Sequence, residues 1–155
     1  MPDVFISCSE TDLQIAAGLK NRLAGNGLSA FLYSVSLVPG KPWSNEIRAQ
    51  LNQSNVVIVL ASRAGLTSDF VKQEVGGAIF QGKRVVPIVW DMAPEELPGF
   101  LKEYHALDLR GNDLATIASK VDQFVDGLVK DKQKQLVALA VMLAFITILA
   151  LAPKS

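Results

Sequence analysis

The sequence predicts an α/β fold, a five-stranded open parallel sheet with helices on both faces, followed by one C-terminal transmembrane helix. Three observations predict it. Over residues 1–129, short apolar runs alternate with stretches of helical period, the pattern of strand–helix–strand units. Residues 67–89 (TSDFVKQEVGGAIFQGKRVVPIV) show one such unit whole, a capped amphipathic helix feeding a short apolar strand. Residues 136–152 then form an unbroken apolar run of seventeen.

In chain order, residues 3–8 (DVFISC) read as the first strand. Thr11 and Gln14 have capping-box spacing for a helix to about Asn26, with Leu13, Ala16, Leu19 and Leu23 on one face and Gly25 and Gly27 at its end. Residues 29–33 (SAFLY) form a second strand. The loop SVSLVPGKP follows, broken by Pro39, Gly40 and Pro42. A helix carrying Trp43, Ile47 and Leu51 ends near Gln53, and residues 55–61 (NVVIVLA) are a third, strongly apolar strand. In the next helix Ser68 and Asp69 can cap the start, Phe70, Val71, Val75, Ala78 and Ile79 form an apolar face, and Gly82 sits where a C′ residue stops it. Residues 85–89 read as a strand covered on both faces. Residues 94–104 are irregular or a short helix, residues 105–109 a weak fifth strand, and residues 112–130 a last helix with Leu114, Ile117, Val121, Phe124, Val125 and Leu128 in register.

Residues 130–135 (KDKQKQ) read as a polar linker before the apolar run, and residues 153–155 as a short tail. At about 1.5 Å per residue the run spans roughly 26 Å, slightly under the ~30 Å hydrocarbon core. Ten of its residues are Leu, Ile, Val or Phe, and at roughly −0.3 to −0.6 kcal/mol each, insertion gains about 3 to 6 kcal/mol. The alternative is a buried core helix or a helix of a soluble oligomer. Lys130, Lys132 and Lys134 precede the run against Lys154 after it, which favours a single-pass anchor with the preceding domain in the cytoplasm.

Composition narrows the function classes. Fifteen basic and fifteen acidic residues give a formal net charge of zero, so no global field draws nucleic acid. The single Cys8 cannot form an intrachain disulfide, and no signal peptide is expected at the start, where MPDVFIS carries an acid in place of a basic region. His105 has no metal-ligand spacing around it, and no metal site is expected. The third strand ends Val-Leu-Ala-Ser without a phosphoacceptor Asp, and no GxxxxGK[ST] occurs. Glu74 is the most informative residue. It lies between valine positions of the helix, four residues after Phe70, where a carboxylate is costly unless paired or turned into a cleft. In parallel sheets such a cleft forms beyond the C-terminal strand ends, at the switch point of strand order.

These pieces in this order (DVFIS, the loop with Pro39-Gly40, NVVIVLAS, DFVKQE and KRVVPIV) resemble a TIR domain, the Toll/interleukin-1 receptor type. The resemblance covers residues 1–129 and implies the flavodoxin-like TIR fold. It is closer to the NAD-cleaving bacterial and axon-degeneration members than to the signalling adaptors. In those members a glutamate stands four residues after an aromatic early in the third helix, the place of Glu74 after Phe70. The resemblance therefore implies an NAD+ glycohydrolase, with cyclisation as a second outcome, in which Glu74 is catalytic and NAD+ is substrate. No separate cofactor is implied.

The resemblance also implies a substrate cleft lined by Cys8, Ser9 and Glu10 after the first strand, by Phe31 and Tyr33 on the second, and by Phe70. Alternation alone reads Phe31 as core. Tyr33 stands where many members have Asp, Phe70 where they have Trp, and Ser9-Glu10 where the axonal enzyme has basic residues. Val38, Pro39, Gly40, Lys41 and Trp43 fall in or beside the BB loop, which in the family packs on a neighbouring TIR domain, so a homo-oligomer is expected. The implied setting is antiviral or cell-death defence, switched on by assembly or by an activating partner of unknown identity. The alternative is a non-enzymatic adaptor that scaffolds through TIR–TIR contacts.

Overall fold

The computed structural model describes residues 2–35, 45–66, 76, 82–99 and 101–153. Five strands, β1 (Val4–Ser9), β2 (Ala30–Val35), β3 (Val56–Leu60), β4 (Arg84–Val89) and β5 (Leu107–Asp108), form one sheet in the order β2-β1-β3-β4-β5. Every pairing is parallel. Val4 is level with Ala30 on one side and Val56 on the other, so β1 is the strand from which the chain steps outward in both directions. The β1/β3 border is therefore the switch point of strand order.

Strands this apolar are stable because both faces are covered. On one face Phe5, Val57, Val59, Val85 and Val89 pack with Leu51 of helix α2 (Asn45–Gln53) and with Leu97 and Leu101. On the other, Val4, Ile6, Cys8, Ile58, Leu60 and Ile88 pack with Ala16, Leu19 and Leu23 of α1 (Leu13–Gly25) and with Val125 and Leu128 of the last helix. The strict alternation of Phe5 and Ile6, or Val57 and Ile58, sorts these side chains to opposite faces.

Several sequence expectations need correction. The capping box of Thr11 and Gln14 does not form. Residues Glu10–Asp12 make one 3-10 turn, and Asp12 occupies the N-cap of α1 without a side-chain capping bond. Its carboxylate is engaged elsewhere, as described below. Leu13, expected on the same face as Ala16, Leu19 and Leu23, is 41% exposed, because at 3.6 residues per turn it falls at the edge of the arc those three share. The fifth strand is two residues long, extending β4 only at Ile88 and Val89. Gly82 has φ +68°, the left-handed conformation expected of a helix-ending glycine.

A larger departure concerns the polar stretch 130–135. It is not a break. Helix α4 runs from Leu114 to Leu151 as a single 38-residue element. Asp113 caps it by accepting from the Thr116 amide at 2.8 Å. Lys, Gln and Asp tolerate helix well enough for an already nucleated helix to propagate through them. Its first half covers the sheet; from Leu136 onward its side chains are exposed, Phe145 at 60% and Leu151 at 80%. By length and composition α4 is long and apolar enough to cross a membrane.

Candidate functional site

The C-terminal strand ends gather at one rim: Ser9 of β1, Val35 of β2, Leu60 of β3, Val89 of β4 and Asp108 of β5. At the switch point, the β1 and β3 ends are tied by a buried polar knot. Asp12 is 7% exposed and Ser62 2%. The Ser9 hydroxyl donates to Asp12 Oδ2 at 3.1 Å, and the Ser62 hydroxyl donates to the same oxygen. Ser62 Oγ in turn accepts from the Gly65 amide at 2.9 Å, capping the short helix α3 (Arg63–Leu66). A buried carboxylate is tolerable because hydroxyl donors replace its water. Gly65 is required at this point: a Cβ there would lie 2.9 Å from the Leu60 carbonyl oxygen and 3.2 Å from Ser62 Oγ.

The next residue fastens the same loop in the opposite direction. The Arg63 amide donates to Asp91 Oδ1 at 3.0 Å, its Nε donates to the Asp91 carbonyl at 3.0 Å, and its guanidinium meets Glu96 at 3.1 Å. Glu96 also accepts from the Ala93 amide at 2.6 Å. That backbone bond first, and Arg63 second, hold its carboxyl below the usual carboxylate range. Two adjacent residues, Ser62 and Arg63, thus bind the loop after β3 to the loops after β1 and β4. The chain that leaves α3 toward position 74 starts from a point held on both sides.

The expected substrate-binding residues divide. Ser9 is in the knot, 7% exposed, and also reaches Thr11 Oγ1 at 3.4 Å. Glu10 is exposed at the rim in the 3-10 turn. Phe31 and Tyr33 are half-buried on the α2 face of the sheet. The Phe31 ring stacks on Phe5 with centroids 5.6 Å apart and planes at 29°. Cys8 is fully buried on the opposite face, among the α1 and α4 side chains, with its Sγ 3.8 Å from the Tyr33 carbonyl oxygen. Cys8 and Phe31 therefore point to different layers. Phe70, Glu74, Val38, Pro39, Gly40, Lys41 and Trp43 lie outside the described residues.

Asp12, Ser62 and Arg63 were not singled out in the sequence. Asp12 sits in a polar run, SETD, that looks like any helix start. The available signal was Ser62 directly after an apolar strand and three residues before a glycine, the spacing of a hydroxyl-capped turn.

Comparison with known proteins follows the same outline. Residues 4–125 match the family model described as TIR domain. Probable 2' cyclic ADP-D-ribose synthase BdTIR of Brachypodium distachyon is 28% identical over 97 residues, covering 61% of this chain and 43% of that protein. The chain thus spans less than half the length of that curated relative. The TIR domain of the Toll-related receptor TRR-2 from Hydra magnipapillata superposes with TM-score 0.56 at 23% identity, covering 70% of this chain and 85% of that one. The TIR domains of the activated Roq1 resistosome, which directly recognises the pathogen effector XopQ, superpose with TM-score 0.54 at 24% identity, covering 84% and 82%. At these identities the structural matches establish the fold.

Proposed function

Because this chain belongs to the TIR domain family, we propose that it is a membrane-anchored NAD+ glycohydrolase, or cyclase, with Glu74 as its catalytic carboxylate. The observation that carries the reading is the 97-residue likeness to the protein named probable 2' cyclic ADP-D-ribose synthase, in a chain with a glutamate four residues after an aromatic, Glu74 after Phe70. The chemistry suits one carboxylate. As the nicotinamide–ribose bond breaks, positive charge develops on the ribose. A fixed anion in a water-poor cleft stabilises that state more than the ground state. Nicotinamide leaves as a neutral base, so no general acid is needed, in contrast to the two carboxylates of most glycosidases. Water or a ribose hydroxyl then takes the anomeric carbon, giving the open or the cyclic product.

The rim supports this reading by its rigidity. The loop after β3 is bound on both sides, to the loops after β1 and β4, and a rim held in this way suits a preorganised site. The exposed apolar half of α4 supports a membrane anchor, and the lysines that precede it support a cytoplasmic domain. Antiviral or cell-death defence, activation by TIR–TIR assembly and an unidentified activating partner follow the family resemblance.

The test is NAD+ consumption by the membrane-reconstituted full chain beside Glu74→Ala and Glu74→Gln. Turnover with Glu74 and none without it establishes the enzyme, and the product identifies hydrolase or cyclase. Turnover retained by both variants removes Glu74 from catalysis. No turnover by the parent protein in visibly assembled preparations favours an adaptor.

A further inference from the structure

Helices in this sheet run opposite to the strands, so α4 leaves the domain at the N-terminal strand ends. Its exit is fixed by ion pairs to two strands. Arg84, first residue of β4, donates to Asp131 at 2.7 Å, and Lys132 donates to Asp3, just before β1, at 2.9 Å. Lys132 also donates to the Gly27 carbonyl at 3.2 Å. Helix continues from there without interruption, and the apolar run begins four residues on, about 6 Å along the axis. The foot of the sheet therefore stands directly over the start of the apolar segment.

Three cations at this foot are committed: Lys132, Arg84, and Lys83, which donates to the Asn52 and Ser54 carbonyls at 2.8 and 2.6 Å. Two are not. Lys130 and Lys134 are exposed and form no ion pair among the described residues. They are one turn apart on one helix face. With Gln133, Val137 and Ala138 they line one exposed stripe of the helix surface, polar above and apolar below. Paired ammonium groups directly above an apolar wall match the chemistry of a phospholipid, phosphate on the lysines and acyl chain along the valine and alanine. A second copy packed in parallel on this face would bring the same lysines against each other, a like-charge contact an anionic headgroup relieves.

We infer that Lys130 and Lys134 clasp an anionic phospholipid headgroup, and that the unbroken α4 plants the domain on the leaflet by the N-terminal ends of its strands, with the rim turned away. The inference rests on the reading of α4 as a membrane anchor. It gives the rim, and whatever it binds, open access to the aqueous side, and it gives neighbouring anchored copies a shared orientation.

The test uses the full chain in phosphatidylcholine vesicles with and without phosphatidylglycerol. Asn55→Cys, at the foot beside Asp131 and Lys132, and Glu95→Cys, in the loop beyond β4, each carry a fluorophore, and a headgroup spin label is the quencher. Strong quenching at position 55 and little at position 95 is expected. Lys130→Gln with Lys134→Gln is expected to reduce the phosphatidylglycerol retained on detergent release about fivefold per lysine, with phosphatidylcholine unchanged. Equal quenching at both positions overturns the orientation. Unchanged phosphatidylglycerol retention in the double variant overturns the headgroup site. A chain that floats with neither vesicle overturns the anchor reading and this inference together.

Discussion

Ser62 donates its hydroxyl to the carboxylate of Asp12 across 50 positions of sequence, joining the ends of β1 and β3 where the strand order reverses. In other doubly wound sheets this crevice is where ligands sit. Here its floor is filled by an intrachain contact, which fixes the loops after β1 and β3 relative to each other.

Asp12→Ala leaves the Ser9 and Ser62 hydroxyls buried without their shared acceptor. The expected cost is about 1–3 kcal/mol, read as a lowered Tm of the full chain in detergent. Asp12→Asn keeps one acceptor oxygen and loses less. Because Ser62→Ala removes one of the same bonds, the double variant Asp12→Ala/Ser62→Ala should lose less than the two singles added.

Gly65→Ala tests the same knot by volume. The added methyl would meet the Leu60 carbonyl at 2.9 Å, a backbone atom inside a buried strand end. Neither side can give without moving α3 or β3, so about 1–3 kcal/mol of destabilisation is expected. At Gly25, where an added Cβ meets nothing within 4 Å, alanine should leave the Tm unchanged or raise it slightly.

The Asp3–Lys132 pair should be visible in pH dependence. Burial raises the Asp3 carboxyl, but the Lys132 ammonium and the Ser29 amide and hydroxyl outweigh it, and the net shift is below its ordinary value of 3.8. A depressed folded pKa contributes stability that is present above the unfolded value and lost as pH falls through the folded one. Amide exchange around residues 128–135 should therefore be protected near neutral pH and lose protection below about pH 4. Asp3→Asn should show the weaker protection already at neutral pH and a smaller acid step.

Deleting residues 136–155 tests whether the proposed anchor serves the proposed NAD+ cleavage. Confinement to a surface raises the effective concentration of TIR domains without any new contact. NAD+ loss in cells at matched protein levels should therefore fall on deletion and recover when an unrelated membrane anchor is appended. Unchanged NAD+ loss on deletion would remove clustering from the account.

The sheet was legible because its signal is local: VFIS, VVIVL and RVVPIV are apolar over lengths only a two-sided strand needs. The face of α2 was legible through Ile47 and Leu51. Asp12 was not, because its partners Ser9 and Ser62 are supplied by different loops, and no sequence period reports a contact made by topology. Cys8 was assigned to the cleft only through the family resemblance; its place at the end of an apolar strand suggests a buried thiol, and alternation with Ser7 and Ser9 sends it to the α1 and α4 layer. The continuity of α4 was hidden by charge. KDKQKQ resembles a solvated linker, although lysine and glutamine are good helix formers and two of its residues, Asp131 and Lys132, have partners on the sheet.

That continuity can be broken at one position. Gln133 lies in α4 between Lys132, held at the sheet, and the start of the apolar run. Proline there removes the bond from its amide to the carbonyl four residues back, clashes with that carbonyl and disfavours helical geometry at Lys132, at a cost of about 3 kcal/mol. Residues 136–152 are untouched, so Gln133→Pro should still float with vesicles. What should change is the contrast between labels at positions 55 and 95, which narrows as the domain tumbles on a bent neck. Gln133→Ala, which keeps the helix, should preserve the contrast. A full contrast in Gln133→Pro would place the orienting force in the headgroup contacts of the foot instead of the helix.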